Sequence, residues 1–597
     1  MLIDRDLRSI QEVRTKVQAA YEASLELASY SQEQVDAIVA GMAAAARAGS
    51  VRLAAMAVEE TGYGNVRDKI AKNLLNCDLL HQKIAPLKTV GVVGEKPELG
   101  ITEIAVPVGV VAAVLPTTNP TSTAFYKCLI SVKAGNAIVL SPHPRARRCT
   151  CESARVLAEA ARAAGAPEGL IQCVDEATIA GTNELMRHQR VGIILSTGGA
   201  GIVKAAYSSG KPALGVGAGN VPVLVDDSAD LEAAVASVVD GKSFDFGTVC
   251  SSEQTLVVNR RHRDRVWSAL KANGAYLCSK EQGRAIQARL FTEHFRIAAD
   301  CVGQSPQEIA RKAGFEVPES TRILAVEIDG VGREHPLSAE KLSPVLSVYF
   351  VDSFDEGVEG CVSILNFGGR GHTCAIYSTD EGHILEYGRR APAFRVLVNT
   401  PAPQGSTGIT TGVFPAMTLG CGAIAGNSTG DNIGPMHLFH VKRIARFVRT
   451  AEEAFVSTEA KQYFRDVAAG RQFDSGGGPE PAREGVAARV DRFLAQQSAP
   501  PAASAAPAGS AVAAVVDRFL SNRQAPATGP GPGPPPEPEP NPPPPAPVIR
   551  PVSFVCEGDM RKAIHSGGKI YIAKHTIVTP AARDLDSHGT ILIQTEA

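Results

Sequence analysis

The stretch "GVVAAVLPTTNPTSTAFYKCLISVKAGNAIVLSP", residues 109–142, decides the fold. The apolar run 109–115 is too short for a helix and reads as a strand buried on both faces. "STAFYKCLISVKAG" repeats apolar residues at helical spacing and stops on Gly135. "NAIVLSP" is a second buried strand, closed by Pro142. Strand, helix, strand in this order makes a parallel sheet covered by helices.

The alternation continues on both sides. Upstream, residues 7–84 read as helices, with apolar residues at three and four spacing until "ETGYG" interrupts them. Downstream, "RRCTCESARVLAEAARAAG" is a helix, while "LIQCV" and "VGIILSTG" are strands. From about residue 220 a second α/β alternation begins with "VPVLVDDSADLEAAVASVVDGKSF", "QTLVVN" and "RHRDRVWSALKANG". It runs into a Gly/Thr-rich stretch at 405–434, and "FHVKRIARFV" with a last helix ending near 469 closes the globular part.

A chain of 597 residues exceeds one core and predicts three or four domains. Apolar content of 44% and a net charge of −2 are ordinary for a globular protein, and no basic stripe points to nucleic acid. The N-terminus lacks the pattern of a secretion signal and no apolar run reaches membrane-spanning length, so a soluble, cytoplasmic protein with no membrane partner is expected. The twelve cysteines form no C-x-x-C pair, which fits a reducing compartment, and no metal site is expected.

In a doubly wound sheet, ligands lie past the carboxyl ends of the strands. "LPTTNPTST", "LSPHPRA", "LSTGGAGIVKAA" and "LGVGAGN" occupy such positions. Gly198, Gly199 and Gly201 open a helix, whose free N–H groups and positive dipole end suit a diphosphate, although a plain capped turn reads the same way. No G-x-G-x-x-G is present. In "FGTVCSSEQ", Cys250 is either a nucleophile or one more small core residue.

The order of "PTTNP", "GNAIVLSP", "STGGAG", "GVGAGNVP", "FGTVCSSEQ", "EKLSPVL" and "FGGRGHTCAIYS" resembles the aldehyde dehydrogenase superfamily. More narrowly, it is similar to the CoA-acylating branch acting on acetaldehyde or propionaldehyde. The likeness covers roughly residues 10–460. It implies an α/β, aldehyde dehydrogenase-like fold: two doubly wound parallel-sheet domains with an oligomerisation arm, a disordered Pro-rich extension and a small β-rich tail. The expected divisions are 1–237 for NAD and CoA binding, 238–415 for the catalytic cysteine, 416–470 for a return to the cofactor and oligomerisation region, 471–547 for a linker and 548–597 for the tail.

The resemblance also implies roles. Cys250 falls on the catalytic cysteine, and Asn119 on the asparagine whose amide, with the cysteine N–H, cradles the oxyanion. Glu340 falls on the glutamate that holds the nicotinamide ribose. Thr197, Gly198 and Gly199 fall beside the diphosphate, Ser141 and His143 on the adenosine side, and Gly215 among the cofactor-binding residues. The chemistry agrees with this set: a thiolate adduct with a localised oxyanion gives up hydride, where a neutral hydrate does so poorly. Asn119 can equally cap the helix that follows it. His372 falls where acylating members often carry a histidine, to assist thiol transfer or as a structural residue.

One departure is informative. Hydrolytic members of the superfamily carry a glutamate in the stretch matching 213–222, and here that stretch has no acid. Without a general base water attacks a thioester slowly, whereas a thiol such as coenzyme A is nucleophilic near neutral pH. A CoA-acylating, NAD-dependent oxidation of a short aldehyde is therefore expected, NAD being favoured over NADP by resemblance. The alternatives are an acyl-phosphate reductase of the semialdehyde dehydrogenase type and a non-enzymatic shell-docking scaffold.

The end of the chain differs in kind. "VAARVDRFL" (486–494) and "VAAVVDRFL" (512–520) are near-copies set in Ala/Pro tracts, ahead of "GPGPGPPPEPEPNPPPPAP". Each puts two valines, a phenylalanine and a leucine on one face, as a helix that docks in a groove would. Two docking helices, 485–497 and 510–523, are expected. They resemble the encapsulation peptides that carry enzymes into bacterial microcompartments, which implies shell proteins as partners, a location inside such a compartment, and a homo-oligomer (dimer or tetramer).

Overall fold

Three capped helices lead the chain: α1 (Arg5–Leu27), α2 (Gln32–Thr61) and α3 (Val66–Leu74). Asp4, Ser31 and Asn65 each accept the free N–H three residues on, a cap worth about 1 kcal/mol. In this computed structural model residues 4–292 and 295–471 are described, with 552–555, 557–566, 568–578, 582 and 592–594 of the tail. The chain divides into two units, Met1–Gln472 and Phe473–Ala597. By length and composition α2 could cross a membrane, but Val35, Ile38, Met42, Ala46 and Leu53 are fully buried in the protein core. After α3 come a π-helical turn, Leu75–Leu80, and α4 (His81–Ile84).

The hairpin β1 (Val92–Lys96) and β2 (Ile101–Pro107) follows. The expected parallel sheet is then built from β3 (Val110–Val114), α5 (Pro120–Lys133), β4 (Ala137–Ser141), α6 (Arg147–Ala163), β5 (Ile171–Cys173), α7 (Ile179–Arg187), β6 (Val191–Thr197), α8 (Ala200–Tyr207) and β7 (Ala213–Val216). Its order is β5-β4-β3-β6-β7, all parallel. β3 and β4 are buried at every position, which is why each reads as an unbroken apolar run. The register sets Val114 beside Ser141 and Ser196, and Thr197 beside Val216, so four loops leave one edge together.

A second parallel sheet comprises β8 (Val221–Val225), β9 (Glu253–Asn259), β10 (Ala275–Leu277), β11 (Ile323–Glu327), β12 (Val345–Val351), β13 (Gly371–Tyr377) and β14 (Ala393–Val398). Its order is β10-β11-β12-β9-β8-β13-β14. The break expected at 237 falls inside α9 (Leu231–Ser243). β8 already pairs with β9 and β13, so the chain changes sheets at 217–220 instead. Ala416, Met417, Leu419, Ile433 and Leu438 pack back into the core of the first sheet. β15 (Phe439–Ala445) then adds antiparallel to β2, making a three-stranded arm.

In the second unit, β16 (Val552–Val555), a helix over Glu557–Ser566, β17 (Ile570–Val578) and β18 (Leu592–Gln594) form a parallel sheet. The described tail is thus β-rich, as expected, with three strands and one helix; β16 and β17 are parallel neighbours and so need a crossover between them. The two docking helices expected at 485–497 and 510–523 lie outside the described residues.

Candidate active site

A cleft of about 570 Å³ opens at the carboxyl ends of β3, β4, β6 and β7. Cys250, Asn119, Ser141, His143, Thr197, Gly198, Gly199 and Glu340 all line it. The first sheet supplies the loops, the turn before β9 supplies the thiol, and the 405–434 stretch adds Thr407, Met417 and Leu419.

Cys250 is only partly exposed. Burial pushes its thiol up to about 12; the charges of Glu340 and Cys421 add to this and Arg395 opposes it. The resting thiol is therefore protonated at neutral pH. Glu340 is the only acid among the lining residues. Burial raises its carboxyl to about 8, although Gly219 N–H donates to Oε1 at 3.3 Å and Lys242 and Lys341 lie nearby. A carboxyl that keeps its proton at neutral pH is a poor base for water.

Asn119 stands at the N-cap position of α5, but its side chain makes no cap hydrogen bond. Its Oδ1 instead accepts from Lys72 Nζ at 2.5 Å. Its Nδ2 donates to Thr118 Oγ1 at 3.0 Å and reaches the Thr248 carbonyl at only 3.5 Å, a length too great to hold it. Lys72 also donates to Asp245 Oδ2, as does Lys69 at 3.1 Å, and Lys69 holds the Thr118 carbonyl at 3.0 Å. Sequence reasoning missed Lys69, Lys72 and Asp245. The available signal was "DKIAKNLLN" (68–76), where Lys69, Lys72, Asn73 and Asn76 share one helical face. That face is polar, yet all four residues are buried.

Asp245 and Phe246 both sit in the left-handed region, at φ 46° and 52°. Strain of this kind costs about 1–3 kcal/mol per residue and persists only where surroundings enforce it. Burial alone would raise the Asp245 carboxyl. The two ammonium groups and Thr248 outweigh it and hold the carboxyl below its ordinary range.

At the other end of the cleft, α8 starts on Gly199 with no side-chain cap and no acid in its first turn, so its N–H groups are left for a ligand. This donor set fits the diphosphate of a dinucleotide. Ser141 Oγ and Thr182 Oγ1 are 2.8 Å apart, and His143 Nδ1 accepts from the Arg145 N–H at 3.2 Å.

His372 and Gly215 do not line the cleft. Gly215 lies within β7, where its N–H donates to Tyr207 Oη at 2.9 Å and α8 covers it. His372 is fully buried; its Nδ1 lies 2.9 Å from Thr373 Oγ1 and its Nε2 has no partner. Burial, with Arg395 assisting, lowers the imidazole to about 3, so it is neutral. A Cβ on Gly219 would stand 2.0 Å from the Cys250 carbonyl oxygen and 3.4 Å from the His372 ring, so Gly219 lies close to both residues.

Residues 6–288 match the aldehyde dehydrogenase family. The acetylating aldehyde dehydrogenase of Geobacillus thermoglucosidasius, a solved structure, is 48% identical with a TM-score of 0.74, over 75% of this chain and 99% of that one. The chain belongs to the aldehyde dehydrogenase family. Among other family members, the bifunctional aldehyde-alcohol dehydrogenase AdhE of Escherichia coli (strain K12) is 42% identical over 73% of this chain and 50% of its own length. This chain thus spans about half the length of that curated relative. Two solved propionaldehyde dehydrogenases also match. One, from the Clostridium phytofermentans fucose utilisation bacterial microcompartment, is 28% identical with a TM-score of 0.67, over 73% of this chain and 97% of its own. The other, from Rhodopseudomonas palustris with bound CoA and an acylated cysteine, is 29% identical with a TM-score of 0.66, over the same shares.

Proposed function

We propose that this aldehyde dehydrogenase is CoA-acylating: it oxidises a short aldehyde, propionaldehyde or acetaldehyde, with NAD⁺ and coenzyme A to acyl-CoA and NADH. The observation that carries the reading is a cleft joining a thiol, an amide donor and an uncapped helix end, whose only lining acid, Glu340, is pushed up by burial. The acetylating and CoA-bound relatives support it.

Cys250 gives its proton to solvent water and, as thiolate, attacks the aldehyde carbon, the C=O π pair becoming the oxyanion. The Asn119 Nδ2–H and the Cys250 N–H receive the oxyanion. NAD⁺, when bound, is the hydride acceptor. Glu340 would hold its ribose, and Gly198, Gly199 and the start of α8 its diphosphate. Loss of hydride leaves a thioester on Cys250. The CoA thiolate then attacks that carbonyl and Cys250 departs as thiolate. We assign His372 no step in this cycle, since it is fully buried and does not line the cleft. Cys250→Ala abolishes CoA-dependent NADH formation on this reading; retained activity refutes it. Phosphate in place of CoA as acceptor separates the enzyme from an acyl-phosphate reductase.

The two near-copies at 486–494 and 512–520, and the likeness to an enzyme from a microcompartment, support shell proteins as partners and a location inside such a compartment. Deleting 480–524 should keep activity and lose co-localisation with shell proteins; unchanged co-localisation refutes this part. Exposed Ile444, Phe447 and Val456 near the arm support a homo-oligomer, dimer or tetramer, read by light scattering.

A further inference from the structure

The buried polar face of α3 has a use that its core position does not explain. Lys72 Nζ is nearly inaccessible and sits between Asp245 Oδ2 and Asn119 Oδ1. An ammonium carries only donors, so the amide facing it must present oxygen. That choice turns Nδ2 the other way, where it donates to Thr118 Oγ1 at 3.0 Å and its other hydrogen faces the Thr248 carbonyl at 3.5 Å, two residues before Cys250. An asparagine without this constraint has two near-equivalent orientations, and the reversed one would aim a carbonyl at a developing oxyanion.

The rest of the network fixes the ammonium itself. Asp245 Oδ2 accepts from Lys72, from Lys69 and from Thr248 Oγ1 at 2.5 Å, and Oδ1 accepts the Asn65 N–H at 2.8 Å. Asp68 Oδ2 accepts the Asp245 N–H at 2.8 Å. Gly64, at φ +71°, would carry a Cβ 2.0 Å from Asp245 Oδ1, so the chain has no side chain there. The next turn holds the start of α5: Asn73 Oδ1 accepts from Thr121 Oγ1 at 3.0 Å, and Asn76 Nδ2 donates to the Ser122 carbonyl at 3.0 Å.

We propose that Lys72 is a positioning residue for the oxyanion donor: its ammonium, anchored on Asp245, keeps Asn119 turned with oxygen inward and N–H toward Cys250. The proposal rests on the reading of Asn119 as that donor. It adds a charge that polarises the amide and makes its N–H a better donor.

The test uses p-nitrophenyl acetate, which needs neither NAD⁺ nor CoA. Cys250 attacks the ester, a C–S bond forms, the C–O bond breaks and p-nitrophenolate leaves, while the thiol proton passes to water. Lys72→Met should slow this burst by at least about 10-fold in the native background and by less than about 2-fold in Asn119→Ala. Alkylation of Cys250 by iodoacetamide builds no oxyanion, and the largest influences on the thiol are burial, Glu340, Cys421 and Arg395, so its rate should stay within about 2-fold. Equal losses in both backgrounds, an unchanged burst, or a parallel loss of alkylation overturns the proposal. Lys69 still answers the Asp245 charge in the variant; should Lys72→Met not fold, Lys72→Gln is read by the same ratios. An ester burst in an enzyme with no CoA-dependent NADH formation would sink the proposed function and leave Lys72 standing.

Discussion

The carbonyl oxygen of Cys250 lies 2.0 Å from the place a Cβ on Gly219 would take. No side chain fits there, so the β7–β8 crossover passes directly against the Cys250 backbone, and the Gly219 N–H donates to Glu340 Oε1. Gly219→Ala must push the Cys250 backbone away. A displacement near 1 Å at a reacting group costs about 100-fold. The kcat for CoA-dependent NADH formation should fall by about that factor, and a variant with native kcat contradicts the geometry.

Asn119→Ala removes one oxyanion donor. The expected loss in kcat is about 10²–10³-fold, with KM for NAD⁺ little changed. Steady-state kinetics read both. A rise in KM alone would make Asn119 a binding residue.

The thiol of Cys250, pushed up to about 12, should react more like a buried core cysteine than an activated one in the ligand-free enzyme. Iodoacetamide alkylation should climb about tenfold per pH unit between pH 7 and 9.5, following the thiolate fraction. A plateau below pH 8.5 contradicts this.

Glu253 makes a prediction about stability. Burial raises its carboxyl to about 7, against hydrogen bonds from Ala402 N–H and its own N–H and the pull of Lys242; Oε2 has no partner. A carboxyl raised on folding holds its proton more tightly in the native state. Its contribution is complete below the ordinary value and is lost as pH rises through about 7, a loss on the order of 3 kcal/mol. Glu253→Gln stays neutral throughout. Its Tm should therefore gain on the parent between pH 5 and pH 8; a constant difference across that range would contradict the assignment.

The parallel sheets were legible because strands such as Val110–Val114 are buried on both faces and announce themselves as runs. The arm was expected only through the resemblance: β2 pairs with β15, with Ile104 opposite Lys442, and no local pattern reports a partner so distant in sequence. The cleft residues were legible where a motif sits in a loop, as at Asn119, Gly199 and Cys250. Gly215 and His372 share their motifs but fall in strands, so their side positions point into packing. Lys69 and Lys72 stayed hidden because a lysine in a helix reads as a solvated face, and only the fold brings Asp245 to meet them.

The most direct measurement is product analysis with propionaldehyde and NAD⁺, with and without coenzyme A. The account predicts propionyl-CoA in equal amount to NADH when coenzyme A is present, and little more than one turnover per Cys250 when it is absent. Propionic acid released at the full rate without coenzyme A would contradict it.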